Sequence, residues 1–424
     1  MTGLRVELGP SGISPADPTA VVYEWPTEAG RSDTVRSDLG WHAAELGTPS
    51  PPSRDLLRVV TAAYIADRAA RQPDLRLART LTLTVHVEEP EVWTDDVKER
   101  LVDLLHWLTG DDWALRCVRA PKGGDTTPPA LDLPIADDVC LLSGGLDSFC
   151  GALIRVRQPG TVRFLGHADT STAVRHAQQR LQQHLAAASP PFPYVQYALR
   201  PRGEVRNRVP KTRSLLFMAM AVAAATGTGA RRVLVPENGF TSINPPLEPS
   251  RGGVLTTRST HPWTFHSFAE LLDALDLGQV EVTNPHAHLT KGELVRQALD
   301  TATADVHNLA AETVSCAKIN AGRPKGGNPN AQCGLCVACL VRRAAFIAAG
   351  VPDRTDYAAT GSAGPSQHVR RVRRHDTDAW RSATTAGIPE HRILGAGLWP
   401  PGTDFDAVLD LCARGLKELA RVPV

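Results

Sequence analysis

An α/β fold, a parallel sheet with helices on both faces, is predicted for residues 136–350 of this 424-residue chain. Two observations predict it. Short apolar runs alternate with helical patterns from 138 to 301, as repeated strand–helix–strand units do. The residues able to do chemistry also fall just after the apolar runs, where open parallel sheets bind their ligands. Strands are expected at 138–142, 161–167, 193–199, 231–236 and 279–283. Helices are expected at 148–156, 171–187, 212–226, 265–276 and 290–301.

The flanking segments read differently. Residues 1–130 form an N-terminal α+β accessory domain in this reading, with a strand at 21–25 and a helix at 55–70 behind the Ser/Pro-rich stretch 47–53. Leu81-Thr-Leu-Thr-Val-His-Val87 alternates like a half-buried strand. A helix at 97–108 and a strand at 113–118 follow, and then an exposed linker at 121–129, rich in Pro and Gly. Residues 351–424 are a mostly helical extension that ends in an amphipathic helix at 405–419. It carries the basic run His368-Val-Arg-Arg-Val-Arg-Arg374, for which a solvated helix face is a commoner meaning than an RNA or partner contact.

Composition removes several function classes. Hydrophobic content of 42% is that of a globular protein. Lys+Arg at 46 against Asp+Glu at 45 leaves a net charge of +1, so no nucleic-acid partner is expected. The start has no apolar signal segment, and the longest apolar stretch, 215–225, is short for a bilayer. A cytoplasmic protein with no membrane partner is the expectation. Eight cysteines in so long a chain do not suggest a disulfide framework; Cys117, Cys140, Cys150 and Cys412 read as buried free thiols.

Two motifs carry chemistry. Ser143-Gly-Gly-Leu-Asp-Ser148 follows the apolar run Val139-Cys-Leu-Leu142 and precedes a helix expected to start at Ser148. Adjacent glycines let the backbone approach a ligand closely, and the free amides of a helix start favour anions. A polyphosphate is the implied ligand, although the kinase-type GxxxxGK[ST] loop is absent. Further on, Cys316 is followed by Cys333, Cys336 and Cys339. Four thiolates match a closed zinc site. An iron–sulfur cluster is the rival, because bacterial ferredoxins also use C-x2-C-x2-C; their run then continues x3-C-P, and here that position is Arg343.

The loop matches the SGGxDS motif of the ATP pyrophosphatases. The whole of 136–350 resembles the 7-cyano-7-deazaguanine synthases of the queuosine pathway. Thr212-Arg-Ser-Leu-Leu-Phe217 is similar to a helix start in that family, and Leu289-Thr-Lys-Gly-Glu-Leu-Val295 to its T/S-K-x-E-[IL]-V segment. Thr313-Val-Ser-Cys316 resembles T-W-S-C, with Val314 in place of tryptophan. Cys333-Gly-Leu-Cys-Val-Ala-Cys-Leu-Val-Arg342 resembles the family's cysteine block, behind a spacer, 317–332, longer than usual. The added flanks look more like synthase-like components of anti-phage defence systems such as Qat.

The resemblance implies an adenine nucleotide alpha hydrolase-like fold and an ATP-dependent carbon–nitrogen ligase that releases AMP and pyrophosphate. Its substrates would be ATP and a 7-carboxy-7-deazaguanine-type carboxylate. Leu142, Ser143, Gly144, Gly145, Leu146, Asp147, Ser148 and His167 would bind the nucleotide, with Asp169 beside His167, although His167 and Asp169 equally fit a plain turn. Asp147 would bind Mg²⁺. Asp147, Ser148, Lys291 and Arg213 would serve catalysis, with a local salt bridge the other reading of Lys291 and Arg213, and Zn²⁺ on Cys316, Cys333, Cys336 and Cys339 would be structural. In the loop 240–264, Asn244, Arg258, Ser259 and His261 would contact the base, unless the loop is a plain connector. The acceptor is ammonia in an ordinary synthase; a partner-protein amine recruited through 1–130 is the other reading, and self-association a third use of that segment. A non-catalytic nucleotide-binding scaffold remains an alternative, which the intact Asp147 disfavours.

Overall fold

The structure, a computed structural model, describes every residue except 1–2, 16, 26–33, 38–46, 72–77, 122–134, 169–170, 189, 203–205, 208, 249–256 and 362–363. Asp169, the linker from 122 onward and the centre of the 240–264 loop therefore lie outside the described residues.

The N-terminal segment builds β1 (Leu4–Gly9), β2 (Val21–Glu24), β3 (Val35–Ser37), α1 (Pro51–Ala69), β4 (Thr80–Val87), α2 (Asp95–Thr109) and β5 (Asp112–Arg119). In β4 the alternation holds: Leu81, Leu83, Val85 and Val87 are buried and the residues between them face outward. The sheet order is β2-β1-β4-β5, and every pairing is parallel. This corrects the α+β expectation for these residues, because α1 and α2 act as crossovers between parallel strands, which is α/β architecture. The Ser/Pro stretch is not wholly a joint either, since Pro51 and Pro52 open α1, where a missing N–H costs nothing.

The central sheet comes from β6 (Asp138–Leu141), β7 (Val162–His167), β8 (Tyr194–Tyr197), β10 (Arg232–Leu234) and β11 (Glu281–Thr283). Its order is β11-β10-β6-β7-β8, all parallel. Strand β6 thus runs beside both the second and the fourth strands of the sheet. The β6–β10 seam is the topological switch point where open α/β sheets bind ligands. The expected third strand ends early; after Ala198 the chain forms β9 (Leu199–Pro201), which pairs antiparallel with β3. Helices α3 (Leu146–Val156), α4 (Thr172–Ala186), α5 (Arg213–Thr228), α6 (Gly239–Ile243), α7 (Pro262–Ala274), α8 (Lys291–Leu299), α9 (Ala304–Glu312) and α10 (Val337–Ala349) connect and cover the strands. The extension adds α11 (Gly364–Val372), α12 (Arg374–Ala386), α13 (Glu390–Leu394) and α14 (Phe405–Leu419).

Two helices explain why the N-terminal segment is not detached. Helix α1 lies on the first sheet, α5 lies on the central sheet, and the two pack against each other. Both are therefore buried nearly all round, which a helix does only inside a core. The apolar stretch 215–225 belongs to this inner layer. One continuous apolar core runs from Leu81 and Leu83 through α1 and α5 to Val139 and Val233. Polar ties reinforce it: Thr212 donates to Asp67 Oδ2 from N at 3.2 Å and Oγ1 at 3.0 Å, and Trp107 Nε1 donates to Thr264 Oγ1 at 2.9 Å. No helix among the described residues is long and apolar enough to cross a membrane.

Candidate active site

The chain leaves β6 into a turn that only glycine accommodates, with Gly144 at φ 91°. Gly145 is the N-cap, so α3 starts at Leu146, two residues before the expected Ser148. Asp147 and Ser148 consequently stand in the first helical turn. The amides of 146–148 belong to the set that has no intrahelical acceptor. The turn is laced by its serines. Ser148 Oγ accepts from Ser143 N at 3.2 Å, donates to Gly145 O at 3.0 Å and lies 3.1 Å from Ser143 Oγ. Gln178 Nε2 donates to Ser143 O at 3.2 Å and to His167 O at 2.8 Å, and Tyr194 Oη donates to Leu142 O at 2.8 Å. Neither Gln178 nor Tyr194 belongs to any motif in the sequence.

Across the switch point, Lys291 Nζ lies 2.6 Å from Asp147 Oδ2, and both side chains are buried. Lys291 opens α8 directly after the N-cap Thr290, and Thr290 and Glu293 form a reciprocal capping box. The T-K-x-E segment is thus a helix-start device that aims the lysine. Asn238 Nδ2 lies 3.3 Å from both Asp147 Oδ2 and Glu237 Oε1. Asp147 Oδ1 is buried and without a hydrogen-bond partner. Glu237 follows β10, so the sequence places it at the right end of the sheet, but no motif announces its pairing with Asp147.

The electrostatics follow from this geometry. Burial pushes the Asp147 carboxyl up, but Lys291, with hydrogen bonds from Glu237, Lys291 and Asn238, outweighs it and holds Asp147 below its ordinary value. Burial pushes Lys291 down, and Asp147 and then Glu237 outweigh it, so the ammonium persists. Glu237 is driven well above its ordinary 4.5 by burial first and by the Asp147 charge second. The arrangement therefore favours an ionised Asp147 beside the Lys291 ammonium and makes Glu237 keep its proton to higher pH than an ordinary carboxyl. A raised folded pKa means that the folded chain binds a proton the unfolded chain has released, so stability falls as pH rises above 4.5. Glu237→Gln, a mimic of the neutral acid, should remove that fall. Thermal melts from about pH 5 to about pH 9 should show the variant gaining on wild type as pH rises. Parallel curves would mean that Glu237 is not protonated in the fold.

The cysteines form a second centre. Cys316, Cys333, Cys336 and Cys339 are buried, and their sulfurs all lie within 4.8 Å of one another. The Cys316–Cys336 and Cys333–Cys339 Sγ separations are 4.0 and 3.9 Å. A tetrahedron with 2.3 Å bonds has edges of about 3.8 Å, so the set fits one ion. A multi-iron cluster, with each sulfur on a different metal, needs the sulfurs farther apart. Cys333 N and Lys318 N each donate to Cys316 Sγ at 3.3 Å, and Cys336 N donates to Cys333 Sγ at 3.2 Å. The centre touches the glycine loop, because Val314 N donates to Gly144 O at 2.9 Å. The fully buried Arg342 holds this strap, donating to Thr313 Oγ1 at 3.0 Å, Ser315 Oγ at 3.2 Å and Ala310 O at 2.6 Å. Among the other cysteines, Cys140, Cys150 and Cys412 are buried, whereas Cys117 is only partly so.

Arg213 sits over the Phe217 ring, 5.2 Å from its centroid, and Phe217 stacks on His167 at 5.3 Å. His167 is buried, with Nε2 3.1 Å from Leu199 O. These rings border a small crevice beside Leu142, Ser143 and Gly166. Arg258 lies 3.9 Å from the Trp107 ring centroid, and His261 packs between Trp107 and Trp399 at 5.3 and 4.8 Å. His261 also caps α7 by accepting from Trp263 N at 3.1 Å. Arg258 and His261 thereby join the N-terminal segment to the C-terminal extension. Asn244 closes α6 in a left-handed conformation at φ 52°, and its Nδ2 donates to Thr257 O at 3.2 Å.

Known proteins give this arrangement a context. A 7-cyano-7-deazaguanine synthase from Novosphingobium aromaticivorans is 28% identical over 249 residues, covering 54% of this chain and 97% of the relative. One from Thiobacillus denitrificans is 28% identical over 243 residues, covering 52% of this chain and 97% of the relative. Over that part, the chain is similar to 7-cyano-7-deazaguanine synthases. No family model matches the chain. The synthase relatives are matched almost end to end, and nearly half of this chain lies beyond them.

Proposed function

We propose that the chain is an ATP-dependent ligase that adenylates a 7-carboxy-7-deazaguanine-type carboxylate and passes the acyl group to an amine. The observation that carries this reading is the buried Asp147–Lys291 pair with Glu237, set at the switch point beside the Ser143–Ser148 turn. The carboxylate oxygen attacks the α-phosphorus of ATP, the α–β bridge breaks, and pyrophosphate leaves. The amides of Leu146, Asp147 and Ser148 offer donors to the departing charge, and Lys291 offers a cation. The amine then attacks the acyl carbon, AMP leaves, and the nitrogen loses a proton. Asp147 and Glu237, once Glu237 gives up its proton, are the groups that would hold Mg²⁺, a hard cation suited to carboxylates, and the ion would supply positive charge against the phosphates. In this reading Zn²⁺ on the four cysteines is structural, since four protein ligands leave no open position, and residues 1–130, 136–350 and 351–424 are the functional divisions. Localisation in the cytoplasm accords with reduced thiols.

We further propose that the amine belongs to a partner protein in an anti-phage defence system. The half of the chain beyond the synthase relatives supports this, since making a small molecule gives it no evident task. A protein amine would yield a secondary amide, whose nitrogen carries one hydrogen and so cannot dehydrate to a nitrile. The second reading, free nitrile made from ammonia, is favoured by what the relatives are named for. Mass spectrometry of reactions with ATP, Mg²⁺, the carboxylate, ammonia and co-expressed partner proteins separates the two. A deazaguanine adduct on a partner with AMP and pyrophosphate is expected. Free nitrile as the main product with partners present would decide for the ordinary synthase, and ADP as the product would refute both.

A further inference from the structure

We propose that helix α14 of the C-terminal extension is a clasp that sets the position of Lys291 against Asp147 and Glu237, with Glu418 and Arg414 as its positioning residues. The inference rests on the reading of those three side chains as the reacting site. The clasp works through the first turn of α8. Thr290 and Glu293 satisfy each other in the capping box, which leaves the Gly292 amide, next to Lys291, as an unmet donor. Glu418 meets it: its Oε2 accepts from Gly292 N at 3.0 Å, and its Oε1 accepts from Thr290 Oγ1. A carboxylate at a helix N-terminus also suits the dipole there. One turn earlier on α14, Arg414 binds both oxygens of Glu293 and donates to His288 O at 3.2 Å. Two residues of one helix therefore hold both members of the capping box that aims Lys291.

The same helix holds the opposite wall. Gly415 lets the Phe240 ring come so close that a Cβ on it would lie 2.2 Å from the ring. Phe240 is the second residue of α6, the helix capped by Asn238 directly after Glu237. Leu411 packs over Gly239, where a Cβ would lie 2.6 Å from the leucine. Gly239 N in turn donates to Leu289 O at 2.8 Å, tying the start of α6 to the approach to α8. The segment carrying Glu237 and the segment carrying Lys291 thus meet along one face of α14, from Leu411 to Glu418.

The test uses the full-length, metal-loaded protein with Glu418→Gln, which keeps the shape and removes the charge. Its first readout needs no turnover: the rate at which an amine-directed acylating reagent modifies Lys291, followed by peptide mass spectrometry. Lys291 should react about tenfold faster in E418Q, the factor that goes with losing one charge-assisted hydrogen bond. Pyrophosphate release should show kcat lower by about tenfold or more from misplacement of the lysine. The KM for ATP should move by less than about twofold, because the 146–148 amides are untouched. An unchanged Lys291 labelling rate in folded E418Q overturns the clasp. Should E418Q not fold, Arg414→Met, at a side chain 32% exposed, takes its place in the labelling experiment: faster labelling supports the clasp and an unchanged rate overturns it. If wild type releases no pyrophosphate with the deazaguanine carboxylate, the proposed reaction fails, and the labelling still decides the clasp.

Discussion

Asp147→Asn should abolish ATP-dependent pyrophosphate release, by at least about 100-fold, while the chain stays folded. The choice of asparagine follows from the structure. As a loop residue facing a ligand, Asp147 would tolerate alanine, but it is buried in an ion pair with Lys291. Alanine would leave a hole beside the buried Lys291 and Asn238 side chains, and would confuse lost chemistry with lost stability. Asparagine keeps the volume and removes the charge. Lys291 still has a counter-ion, because Glu237 is held protonated in part by the Asp147 charge and should ionise once that charge is gone. The fold is thereby protected, but the two-carboxylate set for Mg²⁺ is broken. A thermal melt and a pyrophosphate assay on the same sample are the check. Near-normal release by a folded Asp147→Asn chain would remove Asp147 from the mechanism and the glycine turn from its proposed role.

What can be read in the sequence is set by local rules. The strands and helices of the central sheet lie within a few residues of their expected places, because period and turn chemistry act over short spans. Lys291 is visible for the same reason, since a capping box is written in four consecutive residues. The partners of Asp147 are less legible. Glu237 meets it only because β10 pairs with β6 rather than with β8, a long-range outcome that no short window contains. The helix start at Leu146 escapes the sequence because Gly145 caps α3 with its backbone alone, while Ser148, a typical cap residue, turns its hydroxyl back into the loop. The parallel N-terminal sheet escapes it because strand pattern does not report pairing direction. Arg258 and His261, expected at the base, are held by Trp107 and Trp399 from the two flanking segments, contacts that depend on how those segments pack.

Cys336→Ser should cost the protein its metal and, with it, the 313–346 strap. Four sulfurs within 4.8 Å of one another in a buried site cannot all be thiolates unless a cation offsets their charge. Purified wild type should contain one zinc per chain, and the variant should contain far less. The effect should spread, because structural zinc supplies folding free energy directly. Cys316 anchors one end of the strap whose Val314 amide bonds to Gly144 O, and Arg342 and Gln332 can grip Thr313–Cys316 only while the cysteine loop is closed. Loss of the ion should therefore loosen the glycine turn as well, lowering the melting temperature by roughly 10 °C and ATP affinity with it. Chelation of wild type with a strong zinc ligand should reproduce both changes, and added zinc should reverse them. Elemental analysis that finds iron with a visible charge-transfer band would replace zinc by a cluster. A metal-free wild type that melts like the variant would show that the four cysteines hold no ion.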